Sequence, residues 1–567
     1  MKKTTKRIST VMALILALGS GSVLASCQQR PSGNHEEIDL DRTQLYVSTY
    51  GGGFGSDWLY ELKDRFELAY KDICFEPDTD KVGVQVIVDP GEGSGTSLNP
   101  QTNDNEVIFT ENVPYFNLAK TGHLVDISDV VEDVIAQEGV DLTDKQKSAL
   151  TAVDGKYYAL PSYEGYYGIT YDKDVFNAKG LYIAQDGSFT NATGTLSAGP
   201  DGKTGVIGGV DYSLDDGLPA TWEEFFDLCY YMTIQGVTPM MLAGKVAEGY
   251  SMRFLDAICA AYTGEEMSGW YDFTGEIEYV TSTTTDSTDN VSGTLFGYKM
   301  NTTTDTISER TGYLLRQMPG RLVALSVLDK LIKDGYFEQT ALLSVTEDQK
   351  KGQSDYINSS FRNKPIAMLI DGNWWEAEAD FDECIDAYPH GYPNGKKSDR
   401  NFAYMPLPTK LTADDDNEGN SKTIMEYTRA YAVLNGYALP TWKIELAKDF
   451  LRFAYSQESL ECYTKITGTA RGLQYNISDE AYNELSSYGK SLWDNHKNGN
   501  IIYKLSDNKV YREKETDFSD TWGSGSFRSP FDAFRLNNAT VLSYYTGTLI
   551  SGSEWDRKYS SYFTTNA

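Results

Sequence analysis

The sequence predicts an α/β fold in which helices cover both faces of a parallel sheet. A strand pattern at residues 45–50 is followed by a helical pattern from Trp58 to Tyr70 and by a second strand pattern at residues 82–88. A third short strand, residues 106–110, precedes Glu111 and Asn112. This β, α, β order is typical of parallel sheets, because parallel neighbours are joined by a crossover helix. Ligands of such sheets gather at the carboxyl ends of the strands.

Length and composition indicate a globular protein with more than one core. The chain has 567 residues, and 40% of them are apolar, which excludes a disordered chain. About 520 residues follow the N-terminal region, enough for two or more cores. The net charge of −32 argues against nucleic acid or an anionic membrane surface as a partner, because both require a basic face.

The N-terminal segment predicts export and a lipid anchor. Four basic residues precede an apolar run at residues 11–25, and small residues lead to Cys27. The segment resembles the lipobox of exported bacterial lipoproteins, in which the cysteine becomes the N-terminus and carries acyl chains such as palmitate. The alternative, a single membrane helix, is disfavoured because the run is shorter than the ~20 residues that span a bilayer. We expect a signal peptide at 1–26 and a lipidated tether at 27–44.

Three later segments have clear helical periodicity. Thr221 and Glu224 form a capping-box pattern, and Trp222 lies on the apolar face that follows, which predicts a core role for this tryptophan. The same spacing recurs in residues 325–332, before Gly335, and in residues 444–454. Two stretches interrupt this order, residues 185–211 and 281–306, and both are predicted to be surface insertions with little core.

Six cysteines give no metal or redox motif, because none lies in a CxxC pair. If Cys27 is lipidated, five are left, so at least one is unpaired. Cys229 is predicted to be a small buried apolar residue. We expect no cofactor and no metal site.

Aromatic residues are abundant: the chain has 40 Tyr, 23 Phe and 9 Trp. Tyrosine combines a flat apolar face with a polar tip, which suits sugars because they have C–H groups on one side and hydroxyls at the edge. Packing explains many Tyr-rich compositions equally well, so composition alone decides nothing.

The order of five segments resembles the extracytoplasmic solute-binding proteins of ABC importers, in the branch that takes up sugars and oligosaccharides. The segments are spread over most of the chain and follow the lipobox. They are residues 107–130, 157–176, 219–239, 361–375 and 430–472.

The resemblance implies a two-lobed, hinged, periplasmic-binding-protein-like fold of type II, with insertions. Three crossovers would fall near residues 160–164, 406–408 and 467–472. The first lobe would comprise residues 45–162 plus 409–466, and the second lobe residues 163–408 plus 467–567. The ligand would lie between the lobes, and the hinge would close over it.

The resemblance also implies which residues contact the ligand. Trp374, which follows Asp371, Gly372 and Asn373, matches the tryptophan that stacks on a sugar ring; Trp375 is the alternative, and one of the two belongs to the core. The other expected contacts lie on both lobes and at the first crossover: Tyr250, Glu111, Asn112, Asp371, Tyr163, Tyr166, Tyr167, Trp58, Trp270, Arg253 and Arg471.

Several of these residues have a structural alternative. Arg253 and Arg471 suit a carboxylate or a sugar hydroxyl, but either suits a structural ion pair. Trp270 borders the Thr-rich insertion and would extend the site for a longer chain. The loop 51–53, with Asp57 beside Trp58, commonly faces ligand in the family. Phe531 and Phe534 are further candidate platforms with less support.

These features predict a monomeric, non-catalytic receptor on the outer face of the cell membrane that passes a carbohydrate to the permease subunits of an ABC importer. Two alternatives stay open: an anchored glycoside hydrolase, which needs two carboxylates across a glycosidic bond, and an adhesin that displays bound glycan. The sequence has only four histidines and no HExxH or G-x-S-x-G motif. Glu484 replaces the first glycine of a phosphate loop before Gly489, and Met425 replaces the closing glutamate of a calcium loop.

Overall fold

The computed structural model describes residues 37–564 with short gaps. The gaps are residues 51, 91–97, 286–294, 345, 360–363, 382–393, 395, 416–422, 427–428, 520–521 and 524–528. Cys27 and Cys384 lie outside the described residues, as does most of the predicted tether. Cys74, Cys229, Cys259 and Cys462 have free thiols, and Cys229 is buried as predicted. None of the helices in the described ranges is both long and apolar enough to cross a membrane.

Seventeen strands are described. They are β1 Thr43–Thr49, β2 Val84–Pro90, β3 Val107–Thr110, β4 Ala159–Pro161, β5 Tyr167–Asp172, β6 Tyr182–Ile183, β7 Phe189–Thr190, β8 Val206–Ile207, β9 Val210–Asp211, β10 Thr238–Met241, β11 Glu276–Thr285, β12 Tyr298–Thr306, β13 Ile366–Gly372, β14 Phe402–Met405, β15 Thr423–Glu426, β16 Tyr431–Leu434 and β17 Asn500–Tyr503.

Twenty-one α-helices are described. They are α1 Asp57–Ala69, α2 Tyr115–Ala119, α3 Ser128–Ile135, α4 Asp144–Leu150, α5 Lys173–Lys179, α6 Trp222–Ile234, α7 Ala247–Thr263, α8 Glu266–Tyr271, α9 Pro319–Lys333, α10 Gln339–Leu343, α11 Gln349–Ser359, α12 Trp375–Phe381, α13 Thr441–Ala454, α14 Gln457–Thr467, α15 Asp479–Glu484, α16 Ser487–Asn498, α17 Lys509–Glu513, α18 Glu515–Ser519, α19 Pro530–Arg535, α20 Val541–Thr548 and α21 Gly552–Tyr559.

The first sheet has the order β2-β1-β3-β16-β4. β1 pairs in parallel with β2 and β3, as the β, α, β order predicts. The expectation of a wholly parallel sheet is wrong, because β16 runs antiparallel to both β3 and β4. The chain reaches β16 from the second sheet. An antiparallel strand does not need the crossover helix that joins parallel neighbours within one sheet.

The second sheet has the order β10-β13-β5-β14. β10 is parallel to β13, whereas β5 is antiparallel to both β13 and β14. β4 belongs to the first sheet and β5 to the second, so the chain passes between the sheets across residues 162–166. The predicted two-lobed α/β fold is thus confirmed, with a separate apolar core around each sheet.

The second passage between the sheets comes later than the resemblance implies. Lys410 bridges to Thr221, and β15 pairs with β17. β15 also packs against α7, which contacts the second sheet. Lys410 and β15, which the resemblance placed in the first lobe, therefore pack with the second, and the chain reaches the first sheet at β16.

Helix α6 shows why the helical predictions hold. The Glu224 backbone N–H donates to the Thr221 hydroxyl at 3.1 Å, and the Thr221 N–H donates to the Glu224 carboxylate at 3.1 Å. This reciprocal cap satisfies two donors that the first helical turn leaves without intrahelical partners. Trp222, at the first position, is fully buried, which confirms its predicted core role.

The Thr-rich insertion, residues 281–306, lies on an antiparallel ribbon of β11 and β12. None of its described residues is buried, which agrees with the predicted surface insertion. Ile277, which precedes the insertion on β11, is fully buried in the second core and attaches the ribbon to it. Near the C-terminus, Phe531 and Phe534 are also buried in the second core, so we correct their prediction as ligand platforms.

Candidate ligand-binding site

The first lobe presents polar groups where β1 and β3 end. Tyr50 follows β1, and Glu111 and Asn112 follow β3. Asn112 has the left-handed backbone conformation, with φ of 58°, and its amide donates to Glu111 at 2.5 Å. The Tyr163 hydroxyl also donates to Glu111. Burial raises the pKa of the Glu111 carboxyl, and the Tyr163 and Asn112 hydrogen bonds oppose the rise.

The second lobe presents Trp374 just after β13. Asn373 fixes this turn, because its amide N–H₂ donates to the Glu164 carbonyl and to the Thr469 hydroxyl, both at 2.9 Å. Its side-chain oxygen accepts from the Tyr166 backbone N–H at 3.1 Å. Asn373 thus ties the base of Trp374 to the first and third passages between the lobes.

Aromatic rings from both lobes meet around Trp374. Tyr167 lies edge-on to Trp374 at 4.9 Å between ring centroids, and Tyr250 lies edge-on to Tyr167 at 5.1 Å. From the first lobe, Phe54 is 6.2 Å from Trp374 and 4.8 Å from Tyr163. We call these five residues the aromatic cluster: Phe54, Tyr163, Tyr167, Tyr250 and Trp374.

Two glycines allow this close approach. A Cβ atom placed on Gly53 would stand 2.0 Å from Cδ1 of Trp374, and one placed on Gly372 would stand 2.3 Å from Cε2. Gly372 ends β13 of the second lobe, whereas Gly53 lies in the first-lobe loop after β1. The two lobes are therefore in direct contact at Trp374, whose side chain is only 8% exposed.

A pair of carboxylates lies beside the aromatic cluster. One amide group, Nε2 of Gln353, donates to Asp371 at 3.2 Å and to Glu378 at 2.7 Å. Gln349 and the Gly372 backbone N–H also donate to Asp371. Burial raises the pKa of Asp371 well above its usual value, and the Glu378 charge adds to the rise. Burial, followed by both carboxylates, raises the pKa of Tyr250.

Two predicted contacts of the second lobe must be corrected to core residues. Trp375 is fully buried, and its ring packs edge-on against Phe402 at 5.0 Å and Tyr488 at 5.4 Å. Tyr166 is 2% exposed and packs against Tyr404 at 5.3 Å. The first helical residue of α12 thus points into the protein, whereas Trp374, one position earlier, faces the other lobe.

Two further predicted contacts, Trp58 and Arg471, are also structural. Trp58 is buried against Phe109 at 4.9 Å and Tyr463 at 5.4 Å. The Arg471 guanidinium lies 4.4 Å from the Trp58 ring and donates to the Ser162 carbonyl at 2.9 Å. Arg471 is 1% exposed, so it stabilises the core beneath the first crossover and does not reach a ligand.

The last two predicted contacts lie in other surroundings. The Trp270 indole N–H donates to the Glu276 carbonyl at 2.8 Å, and the ring is buried in the second core, so we correct this prediction too. Arg253 is half-buried on α7. Burial lowers the pKa of Lys504, and the charge of Arg253 contributes to the lowering. Asp57 is exposed at the start of α1.

Sequence reasoning missed four residues of the site. Tyr50 and Phe54 flank the turn after β1, and that turn was the available signal. Glu378 lies four residues after Trp374, one helical turn onward, which puts it on the same side of the chain. No sequence pattern indicated Gln353, because this side chain reaches the site from a different helix, α11. Within the described ranges, no group of three or more His, Cys, Asp or Glu residues is arranged to hold a metal ion.

Comparison with known proteins agrees with this architecture. The chain belongs to the bacterial extracellular solute-binding protein family, whose model matches residues 74–473. Among curated proteins, none matches the sequence significantly.

Two solved structures align with most of this chain. One is a chitin oligosaccharide binding protein, with 14% identity and a TM-score of 0.51, over 92% of this chain and 100% of that one. At this identity the likeness concerns the fold alone. The other is the binding protein MsmE from Bacillus subtilis in an open conformation, with 13% identity and a TM-score of 0.46, over 92% and 98% of the two chains.

Proposed function

We propose that this solute-binding protein captures a carbohydrate, in particular an oligosaccharide, between its lobes and delivers it unaltered to an ABC importer. The observation that carries the proposal is the aromatic cluster, which joins both lobes beside the carboxylates of Glu111 and Glu378. Flat rings match the C–H faces of a sugar, and carboxylates accept from its hydroxyls. The fold that the chain shares with a chitin oligosaccharide binding protein supports this ligand class.

A buried sugar must regain the hydrogen bonds that it loses to water, or burial costs binding energy. Acceptors for this purpose come from each lobe: Glu111 from the first and Glu378 from the second. Trp374 offers its ring once the Gly53 loop withdraws. Only the closed form brings both sets of groups onto the ligand, so the ligand favours closure.

Cys27 carries the lipid anchor on the outer face of the cell membrane, and the residues from Cys27 to the start of β1 are the tether. The first lobe comprises residues 43–162 and the return segment from β16 to α14, and residues 163–426 form most of the second lobe. Permease subunits of the importer are the protein partners, and the receptor is a monomer.

Calorimetry against a panel of oligosaccharides, with an assay for released reducing ends on the same mixtures, tests this function. Binding without cleavage supports a receptor, whereas turnover would establish a glycoside hydrolase. X-ray scattering with and without the bound sugar separates the receptor from an adhesin. A receptor changes its radius of gyration on binding, because its lobes rearrange around the ligand, and an adhesin that only displays glycan does not.

A further inference from the structure

A second contact between the lobes lies at residues 504–518, which we call the strap. The strap contains α17 and most of α18, and Val510, Tyr511 and Phe518 are buried in the second core. It therefore belongs to the second lobe. α17 also packs against α2 of the first lobe, a helix that begins three residues after Asn112. The strap is thus attached to one lobe and contacts the other beside the ligand site.

Arg512 of the strap binds the end of a first-lobe helix. Its guanidinium Nη2 donates to the Ser148 carbonyl at 3.0 Å and to the Thr151 carbonyl at 2.8 Å. These carbonyls lie at the C-terminal end of α4, and the last carbonyls of a helix have no intrahelical partner. The guanidinium also lies 4.6 Å from the ring of Phe116 on α2. One side chain of the second lobe therefore contacts two helices of the first.

Two ion pairs between the lobes flank this arginine. Lys120, which follows α2, donates to Glu513 of the strap at 2.5 Å. Lys145 of α4 donates to Asp272 at 2.5 Å, and Asp272 accepts from the Ser506 hydroxyl of the strap at 2.7 Å. In each pair the lysine belongs to the first lobe and the carboxylate to the second, so the opposite charges attract across the interface. A movement of one lobe relative to the other has to stretch or break these bonds.

Arg429 connects the strap to the ligand site. Its Nη1 lies 3.6 Å from the Glu515 carboxylate of α18, and its Nη2 donates to the Asn112 carbonyl at 3.4 Å. The Asn112 backbone N–H donates in return to the Arg429 carbonyl at 3.1 Å. Asn112 follows Glu111 in the loop that faces the cleft. The strap therefore adjoins the polar groups that the first lobe presents to a ligand.

We propose that the strap is a latch: it holds the lobes in contact in the ligand-free protein, and the cleft opens when the bonds of the strap to α2 and α4 break. The contact of Gly53 with Trp374 joins the lobes at a separate place, and the strap adds directional bonds between charged groups. Partly exposed ion pairs contribute little individually, so the latch depends on several contacts together and opens reversibly. The inference concerns the ligand-free protein and holds for any ligand of the cleft.

X-ray scattering of the ligand-free protein tests the latch. Arg512→Ala removes both hydrogen bonds to α4. We expect the radius of gyration to rise by a few per cent above the native value, which is about 24 Å for a compact chain of this length. The control is Arg535→Ala. Its guanidinium also pairs with a carboxylate, Asp532 at 3.2 Å, and lies 5.8 Å from the ring of Phe531, but all three residues belong to the second lobe.

An exchange of charges at an exposed pair tests the latch without removing a buried contact. Lys120→Glu places two carboxylates together, so it should enlarge the protein. Addition of Glu513→Lys restores an ion pair and should restore the native radius. The control is Lys156→Glu, because the partner of Lys156 is Asp126 of the same lobe. The two lysine side chains are 44% and 48% exposed, so the reversals are well matched.

The controls decide between the latch and general effects. Native radii in both Arg512→Ala and Lys120→Glu would overturn the latch. An equal increase in Arg535→Ala or Lys156→Glu would also overturn it, since the cause would then be general stability or overall charge. Recovery of the native radius in the exchanged pair supports it. Failure of every saccharide to bind would refute the proposed function and leave the latch standing, because these measurements need no ligand.

Discussion

The backbone of Gly53 lies directly against the indole of Trp374, with a hypothetical Cβ only 2.0 Å from Cδ1. The glycine belongs to the first lobe and the tryptophan to the second. The loop that carries Gly53 thus covers ring surface that a sugar would use, so ligand entry requires the lobes to separate. This contact makes the degree of closure sensitive to a single methyl group.

Gly53→Ala should shift the protein toward a more open form. Gly53 does not have a positive φ, so alanine suits its backbone, and the added methyl group clashes with the Trp374 side chain of the other lobe. X-ray scattering should show a larger radius of gyration than for the native protein. Gly194→Ala is the control, because a Cβ there meets nothing within 4 Å. An unchanged radius in Gly53→Ala would show that the contact does not hold the lobes together.

Trp374→Ala should mainly reduce ligand affinity, whereas Trp375→Ala should mainly reduce the stability of the fold. Trp374 lies between the lobes, so its loss should reduce ligand affinity by about 2 kcal/mol or more, roughly 30-fold, with a smaller effect on unfolding. Trp375 is fully buried in the second lobe, so its loss should destabilise the fold by about 3–5 kcal/mol. Calorimetry and urea unfolding of both variants check this. A larger stability loss in Trp374→Ala than in Trp375→Ala would contradict the assignment.

Periodicity in the sequence predicted much of the fold and part of this site. The turn residues Gly372 and Asn373 correctly placed Trp374 after a strand. The helical spacing of residues 58–70 also contained the signal that Trp58 faces inward, since the same spacing defines the buried side of α1. The contact of Gly53 with Trp374 could not be predicted, because it depends on how closely two separate lobes approach each other. Nor could the role of Trp270, whose hydrogen-bond partner lies on the following ribbon.

Asn373→Ala should destabilise the protein even though it removes little apolar surface. The side chain satisfies the Glu164 carbonyl, the Thr469 hydroxyl and the Tyr166 N–H, all of them buried. Leaving a buried polar group unpaired costs roughly 1–3 kcal/mol, so we expect a loss of at least that size in urea unfolding. Asn191→Ala, at an exposed position, should have almost no effect. Equal stabilities of the two variants would show that water replaces the amide of Asn373.

Glu426→Gln should make stability less dependent on pH. Glu426 is buried at the end of β15, and its Oε2 has no hydrogen-bond partner among the described residues. Burial raises the pKa of this carboxyl well above its usual 4.5, and the charge of Glu164 raises it further. Around it lie Arg429 and Lys504, which line the same cavity, and Tyr503, whose pKa is raised by burial and further by both carboxylates. The Glu164 carboxylate is itself paired with His496 at 2.6 Å.

The direction of this pH dependence follows from the linkage between protonation and folding. A carboxyl whose pKa is higher in the folded state stabilises the fold fully below its unfolded pKa, and this stabilisation is lost as the pH rises through the folded pKa. The native protein should therefore lose unfolding free energy relative to Glu426→Gln as the pH rises above about 4.5 toward alkaline values, by roughly 1–3 kcal/mol. Urea unfolding across that range, with the exposed Glu132→Gln as control, measures the difference. A constant gap between native and Glu426→Gln proteins would mean that Glu426 is charged at every pH, with Arg429 or Lys504 compensating its charge.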